Sequence, residues 1–138
     1  MDHKHIKAKL LRLRRKMQRH VKKNDLPFPS DDLGGACGLC SYMAFRMLKE
    51  IGYNPILRMN NEHCFLTLGK YYIDLTLAQF FPNTGDLYFK DHPYRYEHNT
   101  VCVHQIKRSA RTIQEARRLF RGWPPEQNPF RQRLPLTT

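Results

Sequence analysis

Three observations predict an α+β fold. A stretch near the start repeats its apolar residues at helical spacing, and a later run of short segments flanks a Gly-Lys pair like an antiparallel hairpin. The two patterns are segregated, helices first and strands after, rather than alternating along the chain. With 138 residues, 41% of them hydrophobic, the sequence can build one modest core.

Residues 4–23 read as the first helix, because Ile6, Leu10, Leu13, Met17 and Val21 recur at three- and four-residue steps with Lys and Arg between them. "NDLPFPSDDLGG" breaks that pattern with two prolines and two glycines, so 24–36 is a loop. From about Gly38 the helical spacing returns with Cys40, Met43, Met47 and Ile51, and Gly52 stands where a helix C-terminal glycine belongs. This second helix has no charge before Arg46 and is predicted to be buried. After Pro55 the signals change to strand: "ILRMN" (56–60), "EHCFLTL" (62–68) and "YYIDLT" (71–76). The last two flank Gly69-Lys70, which suits a two-residue II′ turn. "LYF" (87–89) and "VCVHQI" (101–106) read as further strands, and 110–121 as a helix with Ile113, Ala116 and Phe120 on one side. The expected layout is one domain over 1–121, with N-terminal helices packed on a small antiparallel sheet. A loosely ordered, Pro-rich tail over 122–138 follows it.

The net charge of +12 is unevenly placed: residues 1–23 carry +9, residues 107–138 carry +6, and the middle carries −3. Basic arms of this kind contact nucleic acid, an anionic surface or an acidic protein. No apolar run approaches the roughly 20 residues of a membrane helix, and no apolar stretch follows the basic N-terminus as a secretory signal would. The expected location is therefore the cytoplasm, or a target-cell cytosol into which the protein is delivered. In a reducing compartment Cys37, Cys40, Cys64 and Cys102 are expected as free thiols or metal ligands.

The hairpin carries the chemistry. If Gly69-Lys70 is the loop, His63 and Asp74 point to the same face as diagonal neighbours, roughly 7–8 Å apart at the backbone and within side-chain reach. A carboxylate that holds an imidazole fixes its tautomer and stabilises the imidazolium. Cys40 near the start of the second helix supplies a nucleophile, and the helix N-terminus favours an anion there. The backbone N–H groups of that turn, at Gly38 and Leu39, are candidates to hold an oxyanion. Cys40, His63 and Asp74 thus make a coherent thiol triad, with Cys37 a bystander.

Two other readings stay open, both without catalysis. Cys37-x-x-Cys40 is half a zinc site, which His63, Cys64, Cys102 or His104 would complete. Alternatively the basic arms bind nucleic acid, with Tyr88, Phe89, Tyr94 and Tyr96 as stacking platforms.

"CGLCSYMAF" resembles the active-site stretch of papain-like cysteine proteases, in which the second Cys of a Cys-Gly-x-Cys run is the nucleophile. The run Gly38–Phe80 is similar to the transglutaminase-like branch of that superfamily. The shared pattern is Cys40 and Ala44, Leu48 and Gly52, "HCF" at 63–65, and "IDLT" at 73–76 continued by "AQF" at 78–80. The ending is similar to small bacterial and phage proteins of this type and to papain-fold toxin domains. The resemblance implies a papain/transglutaminase-like core and no cofactor. It implies a hydrolase or acyltransferase, whether protease, deamidase or transglutaminase, that acts through a thioester. Cys40 would be the nucleophile, His63 the base, Asp74 the orienter and Gln79 a polar contact to substrate. The implied partner is a protein or peptide substrate, acidic or nucleic-acid-associated, with an immunity or inhibitor protein if the chain is a toxin. Phe65 stands where the pattern has Trp and Leu75 where it often has Pro, and no Gln precedes Cys40 to serve as oxyanion donor.

Overall fold

Ile6, Leu10, Leu13, Met17 and Val21 are all buried along one side of α1 (His3–Lys23), as their spacing requires. The computed structural model describes residues 2–95 and 102–135. Asp2 caps α1, its carboxylate accepting from the His5 N–H. The helix holds no acidic residue, and Lys4, Lys7, Arg12, Arg15, Arg19, Lys22 and Lys23 are exposed on it. Arg14 alone among its cations turns fully inward. Its guanidinium donates to the carbonyls of Leu75 (3.0 Å) and Asp31 (2.9 Å) and pairs with Asp86 (3.2 Å). One buried cation therefore ties α1 both to the loop before the second helix and to the backbone just after Asp74.

The second helix, α2 (Cys37–Glu50), is nearly wholly buried. It is entered through Gly35, whose φ of +83° is open to glycine at little cost, and left through Gly52 at φ +97°. Gly38 lies inside its first turn because nothing larger fits. A Cβ there would meet a Phe120 ring carbon at 2.9 Å, the Gln127 carbonyl at 3.0 Å and a Trp123 ring carbon at 3.0 Å. Helix propensity alone would favour alanine by about 1 kcal/mol, but overpacking against backbone costs more, typically ~1–3 kcal/mol. Gly38→Ala is therefore expected to lower the urea midpoint despite the better propensity.

The sheet is antiparallel throughout, with strand order β4-β3-β2-β1-β5. The strands are β1 (Ile56–Met59), β2 (Cys64–Leu68), β3 (Tyr71–Asp74), β4 (Tyr88–Lys90) and β5 (Arg108–Ala110), with α3 (Ile113–Leu119) after them. α2 packs on β2 and β1, and this layer forms the core with α1. The fold is thus α+β, three helices on a five-strand antiparallel sheet. Thr67 pairs with Tyr72 and Leu68 with Tyr71 around Gly69, whose φ is +59°, so the two-residue turn and its register are as expected. No helix among the described residues is long and apolar enough to cross a membrane.

Three expectations are corrected. Residues 102–106 form no strand: Cys102 makes an isolated bridge to Arg95, and 103–104 is a turn. Val101 lies outside the described residues, as does Tyr96. The strand in this region is β5, and the helix after it runs Ile113–Leu119 rather than 110–121. The tail is packed through 135. Trp123 meets Phe120 edge-on with 4.9 Å between ring centres, and Phe130 lies 4.7 Å from Tyr42. The Asn128 side chain donates to the Phe120 carbonyl at 2.8 Å. Burial of these large rings outweighs the four prolines of that stretch. Residues 136–138 lie outside the described residues.

Candidate active site

His63 sits just before β2, at the end of a turn shaped by Asn60. The Asn60 carboxamide oxygen accepts from the N–H of Glu62 (2.9 Å) and of His63 (2.8 Å), and its NH2 donates to the Val103 carbonyl (2.8 Å). From there the imidazole reaches the last residue of β3: His63 Nε2 lies 2.6 Å from Asp74 Oδ2, with both side chains buried. The structure thus brings together the pair that the hairpin register predicted. An ionised carboxylate only accepts, so His63 Nε2 carries the proton and donates it. Burial works against charging the ring, but the charge and hydrogen bond of Asp74, aided by Cys37, outweigh it and raise the His63 pKa to about 10. Burial likewise opposes the Asp74 charge. The His63 charge and the donors on Asp74 prevail, and they hold its carboxyl well below the usual range.

The other ring nitrogen, Nδ1, is buried and makes no hydrogen bond. Of the four cysteines it is Cys37, not Cys40, whose side chain helps to raise the His63 pKa, after burial, which lowers it, and Asp74, which raises it. Cys37 is the first residue of α2 and is 5% exposed, whereas Cys40 lies one turn deeper at 0%. Burial, with Cys37 next in order, pushes the Cys40 thiol far up, which is the setting of an inert packing cysteine. The sequence placed the helix start near Gly38 and so set Cys40 at its tip; α2 begins at Cys37, and the tip thiol is therefore Cys37. Ser41, one turn further along α2, donates from Oγ to the Cys64 carbonyl at 2.9 Å and so fixes the helix against the strand that follows His63.

Comparison with protein-family models, with curated proteins and with solved structures returns no match to the chain.

Around Cys37 the groups suit the binding of a carbonyl. The thiol borders a cleft of about 270 Å³ lined by Gly35, Asn61, Glu62, Gln79, Trp123 and Gln127 among others. Gln79 Oε1 accepts from the Gly35 N–H at 3.1 Å, and its Nε2 is buried with no hydrogen-bond partner. An orphaned buried donor costs about 1–3 kcal/mol, which makes Gln79 Nε2 a candidate partner for a ligand oxygen. No side chain caps α2, and its first intrahelical bond is Cys40 N–H to the Ala36 carbonyl, which leaves the amides of the first turn pointing toward the tip. Gly38 and Leu39 contribute at most those amides: the Leu39 side chain is fully buried, and Gly38 faces Phe120 and Trp123. A second cavity of about 420 Å³, bordered by His63, Phe80, Phe81, Val103 and Lys107, opens on the histidine side. Asn61 and Glu62 border both cavities.

From sequence, His104 stands out only as a candidate metal ligand. Its Nε2 lies 2.9 Å from the same Asp74 Oδ2, and both side chains are fully buried. Among the described residues, His63, Asp74 and His104 are the one trio of ligand-type side chains whose donor atoms lie within 4.8 Å of one another, and no cysteine belongs to it. The 2.6 and 2.9 Å contacts have the lengths of charge-assisted hydrogen bonds. Because no cysteine joins this trio among the described residues, the Cys37-x-x-Cys40 zinc reading gains no support from it.

Proposed function

We propose that the chain is a cysteine hydrolase or acyltransferase of papain/transglutaminase-like kind that attacks an amide or acyl carbonyl through Cys37, His63 and Asp74. The observation that carries this is the two-sided use of one imidazole. Nε2 of His63 is tied to Asp74, Nδ1 is left without a hydrogen bond, and Cys37 at the tip of α2 is the cysteine that helps to hold the ring's proton. That is the arrangement a thiol nucleophile and its proton carrier need. The sequence resemblance supports the same class, with the nucleophile moved from the second cysteine of the run to the first.

The Cys37 thiolate forms an S–C bond to the carbonyl carbon, and the oxyanion is held by Gln79 Nε2 and the first-turn amides of α2. The imidazolium of His63 gives its Nδ1 proton to the leaving amine, the C–N bond breaks, and a thioester remains on Cys37. Water or a second amine then gives a proton to Nδ1 and attacks the thioester, which returns the thiolate. Water makes the reaction proteolysis or deamidation, and an amine makes it acyl transfer. The acid-free basic face of α1 supports an acidic or nucleic-acid-associated substrate.

Alkylation kinetics test the pairing, with Cys102, which is half-buried, borders the histidine-side cavity and donates from Sγ to the Tyr94 carbonyl, as internal control. In the native protein iodoacetamide should label Cys37, and His63→Ala should slow that labelling at least tenfold with Cys102 unchanged. Equal Cys37 rates in both proteins would overturn the pairing. Mass spectrometry of peptide mixtures exposed to wild type then tells a cut, a single-dalton gain and a cross-link apart.

A further inference from the structure

Asp74 Oδ2 accepts from two imidazoles at once, His63 at 2.6 Å and His104 at 2.9 Å, while Oδ1 accepts from the Thr76 N–H at 2.9 Å. The state of His104 can be deduced from its other nitrogen. Nδ1 lies 3.0 Å from the Tyr94 backbone N–H, which can only donate. Nδ1 therefore accepts and carries no proton. The ring's one proton is on Nε2, where it is donated to Asp74.

The ring is also held in place. His104 is 2% exposed and lies among Phe65 (4.6 Å between ring centres), Tyr88 (5.2 Å) and Tyr72 (5.7 Å). The turn that bears it is anchored by Asn60, whose NH2 holds the Val103 carbonyl while its oxygen holds the His63 N–H. One side chain thus sets the relative position of both histidines. A His satisfied at both nitrogens and walled by aromatic rings has no freedom to act as an acid or base itself. It can only hold what it touches.

We propose that His104 is a positioning residue of this site, a fixed donor that pins the Asp74 carboxylate in the orientation and ionised form that His63 requires. This rests on the Cys37–His63 reading above. Without the His104 proton, the Asp74 anion would keep only its contacts to Thr76 and His63 in a place that water does not reach. A buried carboxylate short of donors takes up a proton or rotates. Either response loosens its hold on His63 Nε2 and frees the ring to turn from Cys37. His104 and Thr76 together do for Asp74 what outer partners do for many reacting groups: they satisfy the lone pairs that the reacting partner does not use.

Three measurements test this. Long-range 1H–15N spectra of the unaltered protein near neutral pH should show His104 with the proton on Nε2 and a bare Nδ1; a protonated Nδ1 overturns the proposal. His104→Leu, close in size but with no donor, should slow iodoacetamide labelling of Cys37 about tenfold, the expected worth of a hydrogen bond to a buried charge, and leave Cys102 labelling unchanged. His104→Gln, whose amide can donate to Asp74, should recover most of that rate. Labelling of His104→Leu at the wild-type rate, or equal impairment of the Leu and Gln variants, overturns it. If His104→Leu does not fold, the Gln variant and the tautomer measurement still decide. A His63→Ala protein whose Cys37 labels as fast as wild type would instead overturn the Cys37–His63 pairing itself, and is distinguished by that.

Discussion

Cys37→Ala is expected to abolish turnover, and Cys40→Ala to leave it in place. Loss of a nucleophile that acts together with its base costs on the order of 10⁵–10⁶ in rate, because nothing else at the tip of α2 forms the covalent bond. The stability change should be small: the side chain lies at the cleft and is short. Cys40 is the opposite case. It is fully buried in the core beneath the helix tip, and replacing its sulfur by hydrogen leaves a small cavity worth roughly 1 kcal/mol. Cys40→Ala should therefore lower the thermal midpoint by a few degrees and keep Cys37 labelling and turnover near wild type. The two variants separate cleanly when turnover and urea denaturation are measured on the same preparations. Loss of turnover in Cys40→Ala, with Cys37→Ala active, would restore the assignment that the sequence suggested.

The reason the sequence points to Cys40 and the helix tip to Cys37 is local. His63 and Asp74 were legible because a two-residue turn at Gly69-Lys70 fixes every pair behind it, and strand register is a counting problem. The start of α2 is not. It depends on Gly38 fitting under Phe120, Trp123 and the Gln127 carbonyl, all more than eighty residues away, which lets the helix begin at Cys37. The nearest signal in the sequence was Gly34-Gly35, which ends one residue before Ala36 and places the turn earlier than the resemblance did. His104 was visible as a residue but not in its role, because it stands in a turn without periodicity and its tautomer is set by a backbone N–H at Tyr94. β5 was missed for a similar reason: "RSA" has no apolar alternation, and the strand is recruited by backbone pairing with β1. In the tail, prolines outweighed Trp123, Phe130 and Leu134 in the reading, although these side chains all pack on the core.

Asp74→Asn is expected to remove both activity and much of the stability, and the hydrogen-bond geometry shows why an isosteric change is not a mild one here. Oδ2 accepts from two Nε2–H groups, and Oδ1 accepts from the Thr76 N–H. An amide offers one acceptor and one donor. If its oxygen takes the Oδ2 place, its NH2 faces the Thr76 N–H, donor against donor. If its NH2 takes the Oδ2 place, it meets His104 Nε2–H, which cannot give up its proton while Tyr94 donates to Nδ1. Breaking one side of a buried charged pair costs about 3–5 kcal/mol, which is a large share of the roughly 5–15 kcal/mol that holds a domain together. The loss should depend on pH with a definite sign. His63 binds its proton more tightly in the folded state, so its contribution is complete below its ordinary value of 6.5 and is lost as pH rises through about 10. Asp74 binds its proton more weakly when folded, so its contribution is complete above 3.8 and is lost as pH falls toward the depressed value. These are two ends of one ion pair and are not added. The gap in unfolding free energy between wild type and Asp74→Asn should therefore be widest between about pH 4 and 6.5 and narrow on both sides. Urea denaturation across that range reads it directly. A gap that does not change with pH would mean that Asp74 and His63 are not paired as ions, and with that the imidazolium beside Cys37 would lose its support.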